Sequence, residues 1–204
     1  MPSSVAQLMK AAGTASAGVV RWRDKVPLNK PGVYIVALTD SVDAIDAQLR
    51  CPISLRAVQE LLDVRPELKL DGTRPTRDAL ANRIASTWLS DETIVYVGLA
   101  SESLATRVNQ YYQTALGKRS PHAGGWPLKT LSNLDRLWVH FAPCGAVDDV
   151  EKTMLETFVA NVSVSTRAAV CDPTLPLPFA NLEMPRGARK KHGIKGTREP
   201  RRRG

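Results

Sequence analysis

Two runs, PGVYIVAL (residues 31–38) and TIVYVGLA (residues 93–100), organise the reading of this chain. Each sets a tyrosine, Tyr34 or Tyr96, among apolar β-branched residues, and such runs favour strands. Within them lie the triplets Gly32-Val33-Tyr34 and Tyr96-Val97-Gly98. Behind the second triplet, SESLATRVNQYY (residues 101–112) has helical periodicity and a serine available as N-cap. It carries Arg107 and Tyr111 at i and i+4, on one helix face. Farther on, VEKTMLETF (residues 150–158) is a second amphipathic helix, with Val150, Met154, Leu155 and Phe158 on its apolar side. Asp148 and Asp149 mark its start and suit the positive end of the helix dipole. Glu151 sits at the edge of that apolar stripe, placed to face a cleft.

The rest of the chain fits around these elements. Residues 1–20 read as a helical or frayed leader, and Pro31-Gly32 forces a bend into the first strand. Between the two tyrosine strands, residues 40–92 change character. Leu55, Val58, Leu61 and Leu62, then Leu80, Ile84 and Trp88, fall at helical spacing around a turn at Asp71-Gly72-Thr73-Arg74-Pro75. This block is expected to form a helical insertion between two strands that pair. GKRSPHAGGWP (residues 117–127) is a loop, Leu137–Phe141 a third strand, and CDPTLPLPFANLE (residues 171–183) an extended proline-rich segment.

Composition narrows the class. The chain has 204 residues, 43% hydrophobic and 24% charged, enough for one domain with a core plus extensions. No apolar run spans a bilayer, and no secretory signal is expected. Cys51, Cys144 and Cys171 are well separated, with no CxxC pair, which points to a reducing cytoplasm. His122, His140 and His192 lack zinc-site spacing. The net charge is +8, and residues 184–204 hold nine Lys or Arg against one Glu, so the remainder is balanced. Such a tail is expected to be flexible and to meet a polyanion, with Arg186, Arg189, Lys190 and Lys191 touching phosphate. The expected domain plan is residues 1–183 as one unit containing the 40–92 insertion, with 184–204 as a basic tail.

Singly, a strand tyrosine is an ordinary core residue and a helix arginine an ordinary surface one. Together, in this order, they supply what phosphodiester hydrolysis needs. Glu151 can hold a divalent ion that keeps most of its water, as Mg²⁺ prefers. Arg107 offers a planar fork for phosphate oxygens. Tyr34 and Tyr96 can present hydroxyls to one cleft. A tyrosine serves as base only where something such as a nearby cation lowers its pKa. His122 can contact phosphate, take part in proton transfer, or simply build its loop.

These features resemble the GIY-YIG nuclease superfamily, in a GVY…YVG variant. The family's helix arginine follows the second triplet, and here nine positions separate Gly98 from Arg107. Tyr111 looks like the tyrosine that some restriction enzymes of the family carry one turn after that arginine, where many members have histidine. Glu151-Lys152-Thr153-Met154-Leu155 matches the frame of the metal-binding glutamate better than the rival Glu156. PLPFAN puts Asn181 in the role of the family's asparagine, with Asn161 a nearer alternative. In the family a short connection separates the triplets, whereas Tyr34 and Tyr96 lie 62 positions apart, so the likeness requires residues 40–92 to be an insertion.

The resemblance implies an α+β fold, with a small central antiparallel sheet flanked by helices. It implies a DNA endonuclease using Mg²⁺ or another divalent ion such as Mn²⁺, of restriction or phage-defence type. Tyr34, Tyr96, Arg107, Tyr111 and Glu151 would be catalytic, and Gly98, His122 and Asn181 would join the tail residues in binding substrate. A double-strand break by such a one-site enzyme needs two chains or two visits, hence a possible homodimer on DNA. The alternatives are a nucleic-acid-binding protein of the same fold that does not cut, and a small RNA- or ribosome-associated protein.

Overall fold

The computed structural model describes residues 2–122 and 124–200. In chain order its principal elements are α1 (Val5–Ala11), β1 (Gly18–Arg21), β2 (Gly32–Ala37), α2 (Leu55–Val64), β3 (Lys69–Leu70) and α3 (Arg77–Ala85). Then come β4 (Ile94–Ala100), α4 (Leu104–Gln113), β5 (Trp138–Pro143), α5 (Val147–Asn161), α6 (Val164–Ala169) and β6 (Ile194–Lys195). Two short 3₁₀ turns, Trp126–Thr130 and Leu134–Arg136, lead into β5.

The fold is α+β, built on a four-stranded antiparallel sheet in the order β1-β5-β2-β4. The two tyrosine strands are direct neighbours, with Tyr34 opposite Gly98 and Val36 opposite Tyr96. The pleat sends alternate residues to opposite faces. Tyr34 and Val36 join Tyr96, Phe141 and the 40–92 helices in one core. Val33, Ile35 and Ala37 join Val97, Ala142, α1 and α5 in the other. All six residues of β2 are buried, as expected of a central strand covered on both faces. Full burial of each valine or isoleucine there contributes about 1.5–3 kcal/mol.

Both glycines of the triplets have a steric reason. A Cβ on Gly32 would lie 2.2 Å from the Ala142 carbonyl oxygen, closer than backbone atoms can approach. On Gly98 it would lie 2.7 Å from both the Tyr34 and the Tyr96 rings. Gly98 is therefore the recess in which the two tyrosines meet.

Three expectations need correction. The leader contains α1, capped by Ser4, but it also contributes β1 at the sheet edge, which was not expected. The 40–92 block is helical and lies outside the sheet, yet it is no free appendage: Val58, Leu61, Leu80 and Ile84 share a core with Tyr34 and Tyr96. The third correction concerns the tail. Residues 184–200 fold back, and β6 pairs with β3 of the insertion. Arg65 of the insertion donates to the carbonyls of Gly196 and Arg198. The basic residues do not keep this segment in solvent because its backbone finds partners and Lys190 finds a polar cage. Arg201, Arg202 and Arg203 lie outside the described residues.

Candidate active site

Four aromatic rings gather on one face of the sheet. Tyr34 and Tyr96 have centroids 5.8 Å apart, and Tyr96 and Tyr111 5.2 Å apart. Tyr111 projects from α4, whose start is fixed by Ser103 accepting from the Thr106 N–H. The His122 ring stacks on Tyr111 at 4.3 Å and 10°. His122 is held at three points. Its backbone N–H donates to the Thr114 hydroxyl at 3.0 Å, its Nδ1 lies 3.2 Å from the Gly124 carbonyl oxygen, and its Nε2 lies 3.1 Å from the Tyr34 hydroxyl. The Tyr111 hydroxyl donates to the Gly125 carbonyl at 2.6 Å. Gly125 has φ +60°, and a Cβ there would stand 2.1 Å from that same hydroxyl. Only glycine allows the loop to close over the tyrosines in this way.

Burial sets the protonation of this cluster. It raises the Tyr34 pKa well above its ordinary value, helped by Tyr96 and Tyr111, while Arg107 pulls it back in part. Tyr96 is raised by burial and then by Glu151, and a hydrogen bond from Tyr34 and the Arg107 charge oppose the rise. Tyr111 is raised mainly by burial. The cation expected to lower a tyrosine is thus present in Arg107, but desolvation outweighs it, and all three remain phenols at neutral pH. His122 is pushed down to about 3, first by burial and then by Arg107. It is therefore a neutral imidazole.

Glu151 stands in the first turns of α5, partly buried, and lines the same cavity as Tyr96. Its carboxyl is raised to about 7, by burial first and by Asp148 second, with Arg107 opposing. Among the described residues, no hydrogen bond or salt bridge engages either Glu151 or the Arg107 guanidinium. Glu156, the rival carboxylate, is exposed and lies 3.7 Å from Lys152. No group of three or more His, Cys, Asp or Glu side chains that could hold a metal occurs among the described residues. A desolvated carboxylate that lacks a cation, on a roomy cavity wall, fits Mg²⁺ held by one protein ligand, water and substrate phosphate.

The cavity measures about 1120 Å³. Tyr96, Gly124, Gly125, Glu151 and Asn181 form one side, and Arg65, Arg119, Arg186, Arg189, Lys191 and Arg198 line the rest. Two of these arginines are internally paired, Arg65 with Glu67 and Arg189 with Glu183. Arg65 and Arg119 were not anticipated, because their approach to the site depends on the returning tail.

Tyr34 is fully buried and does not line the cavity, so it stands behind Tyr96. Asn181 reaches the cavity, but its amide is spent on β4: the Val97 N–H donates to Oδ1 at 2.9 Å, and Nδ2 donates to the Val97 carbonyl at 2.8 Å. It completes the outer edge of the strand that carries Tyr96 and Gly98. Its alternative, Asn161, bonds to Ser3 instead.

Lys190 is not a surface phosphate contact. It is 6% exposed, and its Nζ donates to the carbonyls of Leu177, Pro178 and Phe179 at 3.2, 3.1 and 3.3 Å. Lys190→Ala is expected to lower stability by about 1–3 kcal/mol by stranding those carbonyls. Lys191→Ala, at an exposed position, is expected to change it by under about 0.5 kcal/mol. Chemical denaturation of both variants checks the contrast. Compared with known proteins, the chain matches no family model, no curated protein and no solved structure.

Proposed function

We propose that this chain is a metal-dependent DNA endonuclease of the GIY-YIG type. The observation that carries the reading is the convergence of Glu151, Arg107 and the tyrosine cluster at one cavity whose opposite wall is basic. Glu151 would hold a divalent ion, which when bound supplies Lewis-acid stabilisation of the phosphate. Arg107, whose field reaches Tyr34, Tyr96, His122 and Glu151, places its fork to meet charge on the reacting phosphate. Tyr96 is the phenol that faces the cavity, and Tyr34 and Tyr111 support it from behind.

The basic wall fits a nucleic-acid backbone. Neutralising the exposed Arg186, Lys191 and Lys195 with glutamine should weaken binding to duplex DNA. It should also flatten the dependence of log affinity on log salt by about three units if each touches a phosphate. Thermal stability should hold, since these are not the residues that anchor the tail. Fluorescence anisotropy across a salt series measures the change, and an unchanged slope assigns the binding to other residues.

The proposal is tested by incubating supercoiled plasmid with the purified chain in Mg²⁺ and in chelator. Nicked or linear product only in Mg²⁺ is expected. DNA binding with no conversion at protein excess overturns the reading and favours a non-cutting nucleic-acid-binding protein of the same fold.

A further inference from the structure

We propose that His122 is the proton acceptor of the site, drawing the proton of Tyr96 through the hydroxyl of Tyr34. This rests on the nuclease reading above, and it assigns His122 to the interior of the site rather than to the substrate.

The geometry gives the direction. A neutral imidazole carries one ring proton. A carbonyl only accepts, so the Gly124 carbonyl at 3.2 Å places that proton on Nδ1. Nε2 is left with its lone pair, 3.1 Å from the Tyr34 hydroxyl, which therefore donates to it. The oxygen of Tyr34 is then free to accept from Tyr96, with which it also hydrogen-bonds. The order is cavity, Tyr96, Tyr34, His122. His122 and Tyr34 are 2% and 0% exposed, so bulk water does not compete for the relay. Stacking on Tyr111 and the tie to Thr114 hold the imidazole in line.

The step balances. The Tyr96 proton moves to the Tyr34 oxygen as the Tyr34 proton moves to Nε2. This leaves a Tyr96 phenolate, a neutral Tyr34 and a His122 imidazolium. The phenolate takes a proton from water as the water oxygen bonds to phosphorus and the bond from phosphorus to the leaving oxygen breaks. Solvent protonates the leaving group, and the imidazolium later returns its proton to solvent along the same path.

The charged and titratable groups around the relay are Arg107 and Tyr111 from α4, Lys129 from the 3₁₀ turn, and Glu151 from α5. In the free chain, Arg107 and Lys129 oppose a charge on His122. A substrate phosphate on Arg107 offsets the larger of those two effects. The acceptor is therefore strongest when DNA is bound.

The test is single-turnover cleavage at saturating Mg²⁺ between pH 7 and 9.5, with His122→Ala, His122→Gln and Tyr34→Phe beside the wild type. General-base removal costs about 10²–10⁴-fold. We expect His122→Ala to lose at least a hundredfold at pH 7.5 and to recover about tenfold per pH unit, while the wild-type rate stays flat. Glutamine keeps an acceptor for Tyr34 but cannot be protonated, so His122→Gln should stay as slow. Tyr34→Phe should match both and add nothing to His122→Ala. ¹⁵N spectra of the histidine should show the Nδ1–H tautomer. Rescue by glutamine, a pH-independent loss, the Nε2–H tautomer, or His122→Ala within threefold of wild type overturns the relay and leaves the nuclease reading standing. A wild type that cuts no DNA overturns both.

Discussion

Glu151→Gln abolishes Mg²⁺-dependent cleavage and at the same time makes the metal-free chain more stable above pH 7. The two effects have one cause. Burial raises the Glu151 carboxyl from its ordinary 4.5 to about 7, so ionising it in the folded chain is costly. Between those values the folded state holds a proton that the unfolded state has released. Stability contributed below pH 4.5 is therefore lost as pH rises through 7. A bound divalent ion removes the penalty, and an amide never incurs it. In chelator at pH 8, Glu151→Gln should melt a few degrees above wild type, and the gap should close by pH 5. Added Mg²⁺ should raise the melting temperature of the wild type at pH 8 and leave the variant unmoved. Calorimetry in chelator and in Mg²⁺ reads this without any activity. Equal Mg²⁺ stabilisation of both proteins would move the metal away from Glu151.

Arg107→Ala should slow cleavage by at least about a hundredfold, the scale on which loss of one transition-state donor is felt. Arg107→Lys should recover little, because an ammonium cannot reproduce a two-pronged contact with phosphate. Arg107 makes no hydrogen bond or salt bridge among the described residues, so its removal leaves no partner stranded. Thermal stability should stay near that of wild type. Single-turnover rates on one duplex compare the three proteins, and full activity in Arg107→Lys would reduce the role to simple charge.

The sheet was legible because its central strands are short, apolar and β-branched, and because burial on both faces leaves little choice for such residues. Their pairing across 62 positions was legible only through the tyrosines and glycines, since periodicity carries no information about distant partners. β1 was hidden because GVVR is four residues long and its ladder with β5 is set by a strand more than a hundred positions away. Charge misdescribed the tail. Lys190 looks solvated in sequence, and its burial depends on three consecutive carbonyls from residues 177–179. Arg107, Tyr111 and Glu151 were legible through helix register. His122 was visible only as a loop residue, because its contact with Tyr34 joins positions 88 apart. The relation between Asn181 and the edge of β4 is of the same kind, a side chain standing in for a missing strand.

The central claim is that this cavity hydrolyses phosphodiester bonds. Wild type and Glu151→Gln, purified identically and shown to bind the same duplex, should be compared on supercoiled plasmid in Mg²⁺. The account predicts nicking or linearisation by wild type and at least a thousandfold less by Glu151→Gln, a loss within the range enzymes owe to their catalytic groups. Equal conversion by the two proteins, or none by either, would contradict it.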